Sequence, residues 1–125
     1  YLLMAKLINV PLKEDTRGSL TVVEKCLPFD IKRVFTIFNV PPNTIRGGHA
    51  HKKTQMALIC QSGACEISWQ TPSENHKMTL EKPTQCLLLN PEDWHQMKFL
   101  KENTILLVLA SENYDANDYI YEAYR

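Results

Sequence analysis

Turn-forming residues interrupt this chain so often that no long element fits between them. Clusters at Thr16-Arg17-Gly18-Ser19, Pro41-Pro42-Asn43, Arg46-Gly47-Gly48, Ser62-Gly63, Thr71-Pro72-Ser73, Asn90-Pro91-Glu92-Asp93 and Lys101-Glu102-Asn103 leave segments of five to nine residues. That is strand spacing rather than helix spacing. The pattern predicts strands over 19–24, 33–39, 48–52, 56–61, 64–69, 76–81, 85–90, 95–99 and 104–110, and no stretch before Glu112 sustains a helical period. Many short strands with regular turns point to a closed barrel or a double-sheet jelly roll, an all-β architecture whose mouth can hold one ligand. The polar-aromatic tail from Tyr114 to Tyr121 fits either a short helix or a loop.

A length of 125 residues suits one domain spanning 1–125, with no repeat or linker that would divide it. Fourteen basic and fourteen acidic residues cancel. No broad positive field draws the chain to nucleic acid or an anionic membrane, and phosphate recognition has to be local. No apolar run approaches bilayer length and Tyr1-Leu2-Leu3-Met4 is too short for a signal peptide, so a cytoplasmic location is expected. Cys26, Cys60, Cys65 and Cys86 form no CxxC pair, and most sit in or beside apolar runs, which favours free buried thiols over disulfides or a zinc site.

The segment Ile45-Arg46-Gly47-Gly48-His49-Ala50-His51-Lys52-Lys53 carries the chemistry. Alternation along a strand points His49 and His51 to the same face, about 7 Å apart. Two such imidazoles serve either as metal ligands or as a proton donor and acceptor near neutral pH. A metal-binding cupin usually adds a Glu four residues after the second His, where this chain has Gln55, a poor ligand, although His95 remains available as a third imidazole. Arg33 alternates with Phe35 and Ile37 and shares their face. His76, in a polar stretch, reads as a surface residue.

Five blocks in order give the chain a family resemblance. They are Asp15-Thr16-Arg17-Gly18-Ser19-Leu20, Pro28-Phe29-Asp30-Ile31-Lys32-Arg33-Val34, Arg46 to Lys53, Trp94-His95-Gln96-Met97, and Leu106 to Ser111 followed by Tyr114-Asp115 and Asp118-Tyr119-Ile120. The chain resembles the dTDP-4-keto-6-deoxy-D-glucose 3,4-ketoisomerases, WxcM-like enzymes with the RmlC-like cupin fold, a double-stranded β-helix.

The resemblance implies a homodimer with an exchanged N-terminal strand. It implies a dTDP-linked 4-keto-6-deoxyhexose as substrate, no cofactor and no metal, and a 3-keto product destined for amination in deoxysugar or O-antigen synthesis. His49 and His51 would be the base and proton shuttle, with Arg17 and His95 supporting the sugar oxygens. Arg33, Arg46, Gln55 and Lys53 would bind substrate or nucleotide. Arg17 with His95 looks like the galacto-type pair.

Two departures stand out: Phe35 and Thr36 replace the family's aromatic hydroxyls, and Met56 replaces a Gln. They leave room for a related nucleotide-keto-sugar isomerase or epimerase, or for a non-catalytic sugar-nucleotide-binding cupin. A metal-dependent oxygenase is the remoter alternative.

Overall fold

The computed structural model describes residues 5–125, so the opening Tyr1-Leu2-Leu3-Met4 lies outside the described residues. The strands, in chain order, are β1 (Lys6–Asn9), β2 (Leu12–Asp15), β3 (Gly18–Thr21), β4 (Arg33–Ile37), β5 (Thr44–His51) and β6 (Met56–Ser62). They continue with β7 (Cys65–Gln70), β8 (Asn75–Leu80), β9 (Gln85–Leu89), β10 (Trp94–Phe99), β11 (Ile105–Ala110) and β12 (Tyr119–Ile120). A single 3₁₀ turn, Ala116–Asp118, precedes β12, so the tail is a short helical turn and then a strand.

Two five-stranded sheets, ordered β1-β9-β6-β11-β4 and β12-β5-β10-β7-β8, pack face to face, and β2 pairs with β3 in a separate hairpin. The sheets remain open rather than closing into one barrel, which makes this the double-sheet cupin jelly roll.

Burial follows sequence pattern strand by strand. In β7, Cys65, Ile67 and Trp69 are buried while Glu66, Ser68 and Gln70 are half-exposed, the alternation of a sheet with one wet face. The run Met56–Cys60 in β6 is apolar throughout because both its faces are covered. Met56, Leu58 and Cys60 enter the core between the sheets with Ile67, Phe99, Leu106 and Val108. Ala57 and Ile59 meet Val10, Cys86 and Leu109 on the other side, packed against Val23, Leu27 and Phe29 from the segment before β4. Each large apolar side chain buried this way contributes about 1.5–3 kcal/mol.

Three sequence expectations change. The Arg46-Gly47-Gly48 cluster is no turn: β5 runs through it, and the register against β10 slips there, His95 facing His49 and Gln96 facing Gly47. Gly47 and Gly48 have φ of +88° and +85°, and a Cβ on Gly47 would stand 3.0 Å from the His95 carbonyl oxygen. Glycine is therefore required to form this bulge.

β1 and β2 escape the apolar pattern because their side chains are mostly exposed. His76 is half-buried rather than a free surface residue, its ring stacked on Trp69 at 5.3 Å, because it faces Trp69 across the β7–β8 pair.

All four cysteines are free, with Cys60, Cys65 and Cys86 buried. Burial pushes the Cys65 and Cys86 thiols up to about 12, which makes them poor nucleophiles. Among the described residues no helix is long and apolar enough to cross a membrane.

Candidate active site

At one end of the space between the sheets, polar rings replace the aliphatic layers. His49 and His51 project from β5 toward His95 on β10, which lies directly across from His49. The ring centroids of His49 stand 5.0 Å from those of both other histidines, and His51 and His95 are 6.1 Å apart. The two-residue spacing predicted the shared face, and the fold adds His95 to it.

Each imidazole has one nitrogen anchored. Nδ1 of His95 lies 3.1 Å from the Asp93 carbonyl, which only accepts, so that nitrogen carries the proton and Nε2 holds a lone pair. Nδ1 of His51 donates in the same way to the Asp118 carboxylate at 3.1 Å. The Nε2 atoms of both rings are buried and have no protein partner. His49 leans on the Gly47 backbone within the bulge.

The site keeps these rings neutral. Burial lowers His49 to about 4, helped by the neighbouring His51 and opposed by the Gly47 contact. Complete burial lowers His95 to about 3. His51 is also lowered by burial, although Asp118 pulls it back. Neutral rings with fixed tautomers present lone pairs inward, the state required of a base.

Asp118 works against its own burial, which raises a carboxyl. Hydrogen bonds from the Thr54 hydroxyl, the Lys53 N–H at 2.8 Å and His51 outweigh that and hold it below the usual range.

The guanidinium whose charge reaches the rings is Arg33, on the inner face of β4 as its alternation with Phe35 and Ile37 predicts. It stacks over the rings of Phe35 at 5.0 Å and Tyr114 at 5.7 Å, its Nε is buried without a partner, and its charge depresses His49 and His51. Phe35, where the family has an aromatic hydroxyl, thus serves as a platform for the cation. Met56, at the other departure, is buried in the apolar core.

Arg46 faces Met97 across β5–β10, and the bulge returns it to the same face as His49 and His95. Its side chain is exposed. Gln55 is fixed through its backbone, which exchanges two hydrogen bonds with Ser111. Lys53 lines a cavity of about 540 Å³ with Lys32, Lys52, Tyr114 and Asp118, next to the histidines through Asp118.

Arg17 is not brought to this cluster. It stands in the β2–β3 hairpin with 88% of its side chain exposed, and its hydrogen bonds and ion pair all go to Asp15.

The sequence reading missed the aromatic wall. Tyr119 lies 4.7 Å from both His49 and His51, and Tyr121 lies 6.3 Å from His49. The Asp118-Tyr119-Ile120 block was visible as a family signature, but nothing in it announces a contact 67 residues back along the chain.

The donor atoms of the three imidazoles lie within 4.8 Å of one another, a set able to hold a divalent ion, and no carboxylate joins them among the described residues. Three neutral imidazoles with anchored second nitrogens equally suit proton transfer.

The family model described as FdtA, WxcM-like, C-terminal, matches residues 4–125. The chain belongs to this family. A relative from Aneurinibacillus thermoaerophilus, a TDP-4-oxo-6-deoxy-alpha-D-glucose-3,4-oxoisomerase, is 39% identical over 117 residues, covering 92% of this chain and 84% of the relative.

Among solved structures, a double mutant of the QdtA 3,4-ketoisomerase from Thermoanaerobacterium thermosaccharolyticum, in complex with TDP, superposes with a TM-score of 0.92 at 41% identity. The match covers 98% of this chain and 90% of that one. In that mutant a tyrosine is changed to arginine and an arginine to histidine. The WlaRB TDP-quinovose 3,4-ketoisomerase from Campylobacter jejuni gives a TM-score of 0.90 at 41% identity, covering 94% and 92% of the two chains.

Proposed function

We propose that residues 1–125 form one ketoisomerase domain that moves the ketone of a TDP-linked 4-keto-6-deoxyhexose from C4 to C3, with His49 and His51 carrying the proton. The activity class, TDP-sugar 3,4-ketoisomerase, follows from the family and its relatives. The observation that supports the mechanism is the pair of neutral, anchored imidazoles facing one space.

The C4 ketone acidifies the hydrogen on C3. A neutral imidazole takes that proton, and the electron pair of the C–H bond forms the C3=C4 bond of an enediolate with negative charge on the C4 oxygen. Reprotonation at carbon C4 and transfer of the C3 hydroxyl proton to the C4 oxygen leave the ketone on C3. Hydrogen moves only as protons and the sugar's oxidation level is unchanged, so no redox cofactor is required.

Charge on the enediolate oxygen is where a fixed cation or donor lowers the barrier. Arg17 is the cation assigned to that role, and His95 beside His49, whose inward Nε2 holds a lone pair, supports the sugar by accepting from a hydroxyl. Arg33 and Arg46 offer bidentate donors to the diphosphate, with Lys53 and Gln55 at the rim of the same region.

The arginine and histidine of the galacto-type pair, Arg17 and His95, are the residue types that the QdtA double mutant introduces. With this pair, the product we assign is TDP-3-keto-6-deoxygalactose, ready for amination at C3. In deuterated water, TDP-4-keto-6-deoxyglucose is expected to give a 3-keto product carrying deuterium at C4, read by NMR. Neither exchange nor product from the folded protein would leave only the sugar-nucleotide-binding reading.

Arg17 can fulfil its role only if a second chain supplies it. The hairpin that carries it is bonded to neither large sheet, and Leu12 and Leu20 on it are 44% and 55% exposed. β4 is the free edge of its sheet, with Val34 and Phe38 also exposed. A homodimer that exchanges this N-terminal segment covers both and brings Arg17 to the partner's histidines.

Sedimentation equilibrium should give twice the chain mass. Mixing the inactive His49→Asn and Arg17→Ala proteins after unfolding and refolding together should restore activity, because one site of each mixed dimer is intact. A mixture as inactive as its components would rule out the exchange.

A further inference from the structure

The segment after the 3₁₀ turn crosses the end of the second sheet strand by strand. Tyr119 pairs with His51 and Ile120 with Ala50 on β5. The carbonyl of Tyr121 then accepts from the indole N–H of Trp94 on β10 at 3.1 Å. Next, the side-chain oxygen of Gln70 on β7 receives the backbone N–H groups of Tyr124 and Arg125, while the Tyr124 hydroxyl donates to the Glu92 carbonyl at 2.7 Å. The segment therefore touches β5, β10, β7 and β8 in turn.

Its far end is the most heavily bonded point. The Arg125 guanidinium donates from Nη1 to the Pro72 carbonyl at 3.0 Å and from Nη2 to the Thr71 carbonyl at 2.8 Å and to that of Glu74. Nε and Nη2 both reach the Asn75 side-chain oxygen. A planar, permanently charged fork gathers the β7–β8 turn in a way a flexible ammonium could only partly reproduce.

The near end presses on the catalytic rings. Tyr119 contacts both His49 and His51, Tyr121 stacks with Tyr119 at 5.9 Å and faces His49, and Asp118 fixes the His51 tautomer.

We propose that residues 118–125 are a strap that holds the two relay histidines in their reacting orientation, and that Arg125, latching it to the β7–β8 turn, is a positioning residue of the enzyme. This rests on the reading of His49 and His51 as the relay. Arg125 touches neither histidine. It acts through Tyr119 and Tyr121, so its loss widens the range of ring orientations instead of removing a reacting group. Small misplacements of a base cost turnover far more than they cost binding.

The test compares Arg125→Ala and Arg125→Lys with the wild type, using TDP-4-keto-6-deoxyglucose and the ¹⁵N imidazole signals of His49 and His51. Arg125→Ala is expected to lower kcat about tenfold with KM changed less than about twofold, and to shift both imidazole signals. Arg125→Lys should recover part of the loss.

Should Arg125→Ala not fold, Tyr119→Ala and Tyr119→Phe replace it: the first should lower kcat and the second keep most of it, because the ring makes the contact. Unchanged imidazole signals in Arg125→Ala, or a kcat equal to wild type, would overturn the strap. The same holds for equal activity of Tyr119→Ala and wild type. A wild type that turns over no substrate would refute the relay reading instead, and the imidazole signals would still decide whether Arg125 holds the rings.

Discussion

Replacing His49 or His51 by asparagine is expected to lower kcat by about 10²-fold or more, the size of general acid–base assistance, while the fold survives. Asparagine keeps a polar group of lower volume at each position but cannot take a proton near neutral pH. His51 is the more demanding site because it is 3% exposed and bonded to Asp118. The amide N–H₂ of an asparagine can still donate to that carboxylate, which limits the structural damage. Thermal unfolding and steady-state turnover measured together separate the two effects. Full activity in both variants would remove the pair from the mechanism.

Asp118→Asn should produce the second large effect, a fall in turnover of about 10²-fold, though the residue touches no substrate in the proposed chemistry. Three donors converge on its carboxylate: the His51 Nδ1–H, the Thr54 hydroxyl and the Lys53 N–H. An amide has one acceptor oxygen, so either the Lys53 N–H, which meets Oδ1, or the Thr54 hydroxyl and the His51 Nδ1–H, which share Oδ2, face an N–H₂ group instead. If it is His51, its proton moves from Nδ1 to Nε2 and the lone pair turns away from the substrate. ¹⁵N spectra of the His51 ring would report that tautomer directly. A variant within about twofold of wild type, with the tautomer unchanged, would leave Asp118 a purely structural role. The buried group left unsatisfied should also cost about 1–3 kcal/mol in unfolding experiments.

The sequence disclosed what local periodicity controls. β6, β7, β9, β10 and β11 alternate or run apolar strongly enough to be read directly, and the shared face of His49 and His51 follows from the same two-residue period. β1 and β2 were invisible because exposed strands carry no apolar signature, and β12 is two residues long.

The site divides along the same line. Arg33 was placed correctly by alternation with Phe35 and Ile37. The aromatic wall and Asp118 come from a segment some 67 residues downstream, joined to β5 by pairing that no local pattern encodes. Arg17 was assigned from the family motif, yet a single chain holds it in a hairpin with Asp15. Its proposed role is a property of two chains, which no reading of one chain's periodicity contains.

The doubled glycine in β5 sets the phase of that strand. Arg46 and His49 are three positions apart, an odd interval that would ordinarily send their side chains to opposite sides, and the extra residue in the bulge reunites them. Removing a single glycine would bring back the ordinary rhythm and send the guanidinium and the imidazoles to opposite faces of the sheet. In a descendant of this enzyme, then, the segment's length constrains its chemistry as tightly as its residue identities do. Either both glycines persist, or the guanidinium and the imidazoles of this strand part to opposite faces.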